Sequence, residues 1–372
     1  MKLVYHKKTK NYDKVYFCGL QIGKSTIYTP EKREYLLDEI VPAFEKNNVA
    51  IVFATDDTYA SYLGVTIASI LANTSKENNY DIIIFDGGIS RYKVYLLSSL
   101  AQNKKNVSIR FFDILDYVEK WENLFYGTGH ISVAACYRLF IPDICSKYKR
   151  ILYLDCDLVV DADVAELYHA DIKEKSIGAV IDKDESMDNI ELSKYLQKTL
   201  PFLHAESYFN SGVILFDIKK CQKDEIAQKA LVLLEKYTNL RFTDQDILNI
   251  LLQNKVEFLP FTWNSMWGQR AENINNFDIP LLGDKKIIHY IGSTKPWDLW
   301  SIPLSEVFWK YARVSPFYEL LIFRKINQAI EASSLNLSAL KLARKFTWGK
   351  WKKSITKKIN TYKDALKVVR PL

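Results

Sequence analysis

No two of the five cysteines form a CxxC pair; Cys18, Cys136, Cys145, Cys156 and Cys221 are scattered along the 372 residues. That spacing excludes a zinc ribbon, a disulfide scaffold and a dithiol redox motif. Long apolar runs are missing as well: none approaches the roughly 18–20 residues a membrane span needs. The first residues carry no secretory apolar region, because Lys7, Lys8 and Lys10 interrupt them, and a cytoplasmic location is expected. No GxGxxG occurs. Gly127-Thr128-Gly129 lacks both the third glycine and the preceding strand, which argues against a dinucleotide-dependent oxidoreductase. There is no internal repeat and no low-complexity stretch.

What is present is a large apolar fraction, 48%, enough for a sizeable core in one α/β domain with an appendage. The net charge of +7, from 51 basic and 44 acidic residues, is unevenly placed. Residues 341–372 hold eleven Lys/Arg against Asp364 alone, so the tail carries +10 and the other 340 residues carry −3. The basic balance therefore describes a tail. No basic-aromatic cluster recurs in the body, and no nucleic-acid partner is expected.

Residues 1–47 read as an N-terminal extension with a helix from Pro30 to Glu45, since proline suits a first helical position. From Val49 the pattern sharpens. Val49–Ala54, Asp81–Phe85, Val107–Phe112, Ile151–Leu154, Ile177–Ile181 and Tyr208–Phe216 read as buried strands. Tyr59–Asn73, with Leu63, Ile67, Ile70 and Leu71 on one face, and Arg91–Gln102 read as helices. Strands alternating with helices predict an α/β fold, a mostly parallel sheet covered on both faces. Such sheets bind ligands beyond the carboxyl ends of their strands, where Asp56, Asp155 and Asp182 stand.

Two constellations carry chemistry. The first is Asp155-Cys156-Asp157 at the end of Ile151-Leu152-Tyr153-Leu154. Two carboxylates two residues apart past a buried strand can turn toward one hard cation, Mg²⁺ or Mn²⁺, that bridges substrate phosphates. Three other Asp-x-Asp pairs, Asp161/Asp163, Asp182/Asp184 and Asp244/Asp246, read on spacing alone as solvated turns. The second is Ile288 to Trp297: His289, which alone reads as a satisfied core histidine, precedes Gly292 for close backbone approach and Lys295 as a point charge for phosphate, a unit able to complete a metal site though spacing does not prove it.

With these residues in order, the chain resembles glycosyltransferase family 8, retaining enzymes of the nucleotide-diphospho-sugar transferase (GT-A) fold. The resemblance rests on Ile51–Tyr59, Tyr137-Arg138-Leu139, Tyr153–Asp157, Phe209–Val213, Asp244–Asn249 and His289–Trp297, and covers about residues 49–300. Phe209–Val213 and His289–Trp300 look most similar to bacterial lipopolysaccharide-core glucosyl- and galactosyltransferases. The resemblance implies a UDP-hexose donor, a saccharide acceptor and a divalent metal held by Asp155, Asp157 and His289. It places Ala54, Asp56, Asp57, Thr58 and Tyr59 at the uridine, with Tyr59 stacking on the base and Thr58 departing from the usual Asn. Asp155, Cys156, Gly292 and Lys295 fall along the rest of the nucleotide. Arg138, Asn210, Ser211, Asp244 and Gln245 surround the donor sugar, and Asp182 contacts the acceptor. Gln245 and Asp246 are the catalytic positions. Retention then proceeds through a front-face ion pair beside Gln245 or through Asp246 as nucleophile, and both routes stay open. A non-catalytic nucleotide-sugar-binding protein and a self-glucosylating primer enzyme are alternatives on the same fold.

The expected layout is an extension over 1–47, a catalytic domain over 48–300, a helical segment over 301–340 and a basic tail over 341–372. In the tail, Trp348, Trp351, Ile355, Ile359, Tyr362, Leu366 and Val369 recur at steps of three and four among lysines. That pattern fits a helix lying on an anionic membrane at the cytoplasmic face; packing against the protein is the rival reading.

Overall fold

The computed structural model describes residues 4–8, 12–17, 20–26, 35–125, 132–182, 190–238, 240–267, 285–293, 295–298, 302 and 304–328. In the tail it describes Lys341, Arg344, Lys353, Thr356 and Asn360, all helical. Every residue of the proposed membrane stripe lies outside the described residues, as do Asp184 and Thr294.

Val4–Lys8 (β1), Tyr12–Phe17 (β2) and Leu20–Thr26 (β3) pair antiparallel as a small sheet of their own. The central sheet has eight strands: Leu36–Leu37 (β4), Asn48–Thr55 (β5), Asn79–Asp86 (β6), Val107–Asp113 (β7), Arg150–Leu154 (β8), Ile177–Ile181 (β10), Phe209–Asp217 (β11) and Val256–Phe258 (β12). Leu158–Val160 (β9), Ser265–Trp267 (β13) and Ile287–Tyr290 (β14) make the third sheet. The central order is β12-β10-β11-β8-β5-β6-β7-β4. All its pairings are parallel except the two made by β11. The expected α/β class and GT-A architecture hold.

The strands form where the sequence runs apolar without alternation. Ile82-Ile83-Ile84-Phe85 of β6 is fully buried on both faces, as a covered parallel sheet requires. Each such side chain contributes about 1.5–3 kcal/mol of burial. The helix Ala60–Ala72 covers one face and is buried along nearly its whole length. Its polar positions are used: the Thr66 hydroxyl lies 3.0 Å from the Cys156 carbonyl and 2.7 Å from that of Leu158, and Ser69 Oγ accepts from Val160 N–H at 2.9 Å. A buried helix thus pins the chain on either side of Asp157.

One expectation fails. Within the described part of Pro30–Glu45 there is no helix, and Leu36 and Leu37 pair in parallel with Phe111 and Phe112 at the sheet edge. An apolar pair that can extend an open strand edge gains a ladder and a packing surface, which outweighs local helix propensity.

Candidate active site

The antiparallel strand β11 builds the site. Because it runs against β8 and β10, its first residues stand beside the last residues of both. Val213 pairs with Leu154, Asn210 with Val180 and Phe209 with Ile181, and Asp155 N–H donates to the Gly212 carbonyl at 2.8 Å. Asn210, Ser211, Asp155 and Asp182 therefore meet at one rim. Beyond Asp157 the chain enters β9, which pairs antiparallel with β14 and sets His289 opposite Leu158. That register brings an imidazole from 132 positions later in the chain beside Asp157.

Asp155, Asp157 and His289 offer ligand atoms that all lie within 4.8 Å of one another. His289 Nε2 is 3.2 Å from Asp157 Oδ1 and 3.8 Å from Asp155 Oδ2. The tautomer follows from a chain of bonds anchored on the backbone. Gly212 N–H donates to Asn210 Oδ1 at 3.0 Å, so that atom is an acceptor. Asn264 Nδ2 donates to the same oxygen at 2.9 Å, which turns Asn264 Oδ1 toward His289 Nδ1, 2.9 Å away. Nδ1 carries a proton, so Nε2 is the ring nitrogen turned toward the carboxylates and the one a metal would take. Gly212 makes the convergence possible, since a Cβ there would lie 2.4 Å from His289 Cε1 and 2.7 Å from Asp155 Oδ2.

Cations surround these acids. Lys295 Nζ donates to Asp157 Oδ2 at 2.6 Å and to the Tyr290 carbonyl at 2.5 Å, and is almost fully buried. Burial opposes ionisation of Asp157, but the Lys295 ammonium outweighs it and holds the carboxyl well below the usual range. Arg138 is buried between two carboxylates, 2.8 Å from Asp155 Oδ1 and 3.2 Å from Asp244 Oδ2, and also donates to the Ser211 carbonyl and hydroxyl. Tyr153 OH donates to Asp155 Oδ1 at 2.8 Å, and the Arg138 guanidinium sits 4.5 Å from the Tyr153 ring centre.

The helix Thr243–Leu251 presents three acidic or amide side chains in three directions. Asp244 accepts from Ser211 Oγ at 3.1 Å. Gln245 Oε1 accepts from Ser211 N–H at 2.9 Å, so its amide nitrogen faces Asp182 and donates to Oδ2 at 2.6 Å. Asp246, next in sequence, lies about 100° round the helix and is fully buried. Its oxygens accept from Tyr195 OH (2.6 Å), Tyr208 OH (2.7 Å) and Phe242 N–H (3.0 Å). Burial raises its carboxyl to about 6 even though these three bonds pull it down. A carboxyl raised on folding costs stability as pH climbs from its unfolded value near 4 through 6. Asp246→Asn is accordingly expected to gain on the wild type by about 3 kcal/mol between pH 4 and pH 7, read as the difference in denaturant midpoints; a pH-independent difference would refute this.

At the other end of the rim, Asp56 accepts from Tyr59 N–H at 3.0 Å and from Ser132 Oγ at 2.9 Å. Cys156 Sγ lies 3.4 Å from the Ala54 carbonyl, joining the two strand ends. Thr58 is exposed and Tyr59 half-buried. Asp57 is engaged elsewhere, by Lys93 Nζ at 3.0 Å and Ser90 N–H at 2.9 Å. Gly292 has φ +80° with open space around it. Asp161 and Asp163 are outside this cluster: Asp163 caps the helix Val164–Tyr168 and accepts from Tyr80 OH, while Asp161 meets Lys310 and Tyr311.

The sequence matches the model of glycosyl transferase family 8 over residues 50–301. The chain belongs to glycosyl transferase family 8. It is 29% identical over 270 residues to general stress protein A of Bacillus subtilis, covering 67% of this chain and 87% of that protein. It is 28% identical to a lipopolysaccharide 1,2-glucosyltransferase of Escherichia coli K12 (70% and 76% covered). It is 29% identical to a lipopolysaccharide 1,3-galactosyltransferase of Salmonella typhimurium (77% and 86%). Among solved structures it is similar to the galactosyltransferase LgtC bound to donor and acceptor sugar analogues, at 25% identity and TM-score 0.58, with 72% of this chain and 96% of that one covered. It is also similar to the bifunctional glycosyltransferase WbbM, at 28% identity and TM-score 0.65, covering 77% of this chain but only 53% of that one.

Within this family 8 chain, two supporting residues escape a reading of the sequence, Asn264 and Ser132, and Tyr153 is visible there only as a strand residue without its bond to Asp155. Ser132 and Asn264 belong to no motif, and each acts on a partner 76 or 25 positions away. Asn264→Ala is expected to weaken Mn²⁺ binding about 10–100-fold, the usual consequence of losing a ligand's supporting partner. Calorimetric titration of the metal checks it, with circular dichroism to verify the fold; unchanged affinity removes Asn264 from the site.

Proposed function

We propose that this protein moves glucose or galactose from a UDP-linked donor to a saccharide acceptor of lipopolysaccharide-core type, with retention at the anomeric carbon. The observation that carries the reading is the convergence of two carboxylates and the Nε2 of an imidazole beside the Lys295 ammonium. That donor set suits Mn²⁺ or Mg²⁺, and the glucosyl- and galactosyltransferases among its relatives support the sugar class.

Asp155, Asp157 and His289 would hold the metal, which when bound neutralises diphosphate charge as a Lewis acid. Lys295 would meet the same developing charge on the leaving diphosphate. Ala54, Asp56 and Tyr59 would receive the uridine, with Thr58, Cys156 and Gly292 along the nucleotide. Arg138, Asn210, Ser211 and Asp244 would line the hexose, and Asp182 would meet the acceptor. Of the two routes to retention, the geometry favours the front-face one. Gln245 is held at the rim, whereas both Asp246 oxygens are taken by donors behind it. In this reading Asp246 steadies Tyr208 and the helix that carries Gln245.

The test is incubation with UDP-glucose or UDP-galactose, Mn²⁺ and a core-oligosaccharide acceptor, with the product linkage read by NMR. An α-linked product is expected, and Gln245→Ala should lower kcat far more than it weakens UDP binding. A β-linked product would overturn the retaining assignment. No helix among the described residues is long and apolar enough to cross a membrane. The +10 charge and tryptophans of residues 341–372 support peripheral attachment at an anionic cytoplasmic face, and truncation after residue 335 should release the protein from anionic vesicles.

A further inference from the structure

The turn that carries Lys295 is held from outside the family match, which ends at residue 301. All four backbone carbonyls of residues 295–298 are occupied. Lys295 O accepts from Asp298 N–H within the turn at 2.9 Å. Pro296 O accepts from the indole N–H of Trp309 at 3.1 Å, in the helix Ser305–Ala312. Trp297 O and Asp298 O accept from the Lys325 ammonium at 3.3 and 3.4 Å, in a helix over 318–328. The side chains follow the same logic. Trp297 stacks on Tyr62 at 3.6 Å with the rings 9° from parallel, and the Arg324 guanidinium lies 5.4 Å from the centre of that same Tyr62 ring. Phe317 seats against Gly64, where a Cβ would fall 2.1 Å from the phenyl ring, so the C-terminal segment is docked closely on the helix below the site.

We propose that residues 304–328 are a clamp on the donor site: through Trp309 and Lys325 they set the 295–298 turn, and with it the position of the Lys295 ammonium beside Asp157. The clamp's role toward a nucleoside diphosphate rests on the donor reading above; its hold on the turn does not. Lys295 must leave bulk water and sit within bonding reach of a metal carboxylate, and a freely moving turn would spend binding energy on being ordered first. A carbonyl cap from a separate helix removes that cost in advance. Trp309 and Lys325 are positioning residues, since they reach the carbonyls of residues 296–298 and act on Lys295 through them.

The experiment uses the full chain as wild type, Lys325→Met, Lys325→Arg and Trp309→Phe. Amide exchange is followed in the peptide spanning 290–298 without nucleotide, and UDP with Mn²⁺ is titrated by calorimetry. Because a charged donor is removed from two carbonyls, Lys325→Met should speed exchange at the Asp298 amide and lower UDP affinity, each about tenfold. The acceptor KM should stay unchanged, and Lys325→Arg should restore both readouts. Trp309→Phe should act in the same direction at the same peptide. Exchange and affinity equal to wild type in Lys325→Met overturn the clamp. If the wild type binds no UDP, the donor reading falls, and the exchange measurement alone still decides whether residues 304–328 hold the turn.

Discussion

Asp155→Ala and Asp157→Ala are each expected to lower kcat/KM by about 10³-fold, because removing one hard ligand leaves diphosphate charge uncompensated in the transition state. The two losses should differ in kind. Asp155 also anchors Arg138 and Tyr153, so its removal leaves a buried guanidinium with Asp244 as its remaining carboxylate partner. A drop in thermal stability should accompany the loss of activity. Asp157 removal instead releases Lys295 and should be felt mainly in metal and nucleotide affinity. Asp161→Ala is the control, since Asp161 meets Lys310 and Tyr311 and is not one of the three groups that converge as metal ligands, and it should retain activity. Equal losses in all three variants, or wild-type activity indifferent to EDTA, would refute the metal assignment.

Gly212→Ala is expected to do comparable damage with a single methyl group. The added Cβ would stand inside contact distance of both His289 and Asp155. The backbone cannot retreat, because β11 is laddered to β8 on one side and β10 on the other. The two ligands must therefore separate, and the overpacking itself costs about 1–3 kcal/mol. Mn²⁺ affinity and kcat/KM should both fall by about 10²-fold or more, the scale of lost ligand support. Gly292→Ala offers the contrast. Its Cβ would meet nothing within 4 Å, and the positive φ makes the change a local backbone strain of about 1–2 kcal/mol. Metal titration of the two variants side by side decides the matter: equal affinity in Gly212→Ala and wild type would mean the site tolerates a side chain there.

Much of this site was legible in the order of residues. The strands of the parallel core announce themselves as unbroken apolar runs, and the carboxylates sit at their ends because ligands gather at the carboxyl edge of such a sheet. Asp155 and Asp157 were readable as hard ligands at a strand end, and the family resemblance joined His289 and Lys295 to them. The helix expected over Pro30–Glu45 was misread for the opposite reason. Leu36 and Leu37 carry no period of their own, and only an open strand edge at Phe111 and Phe112 tells the chain to extend there.

The sequence by itself determined the chemistry: which acids, which base and which cation are present, and that they stand at strand ends. Only the tertiary structure decided their arrangement. The reversed direction of β11 puts Asn210 and Ser211 beside Asp155 and Asp182, and the β9–β14 register sets His289 next to Asp157. The helical turn sends Gln245 to the rim and Asp246 into a cage of two tyrosines. None of these is a local property of the chain. Strand direction and register are settled by which apolar faces and backbone ladders can be satisfied together across the whole sheet. A linear sequence lists those groups without stating their partners.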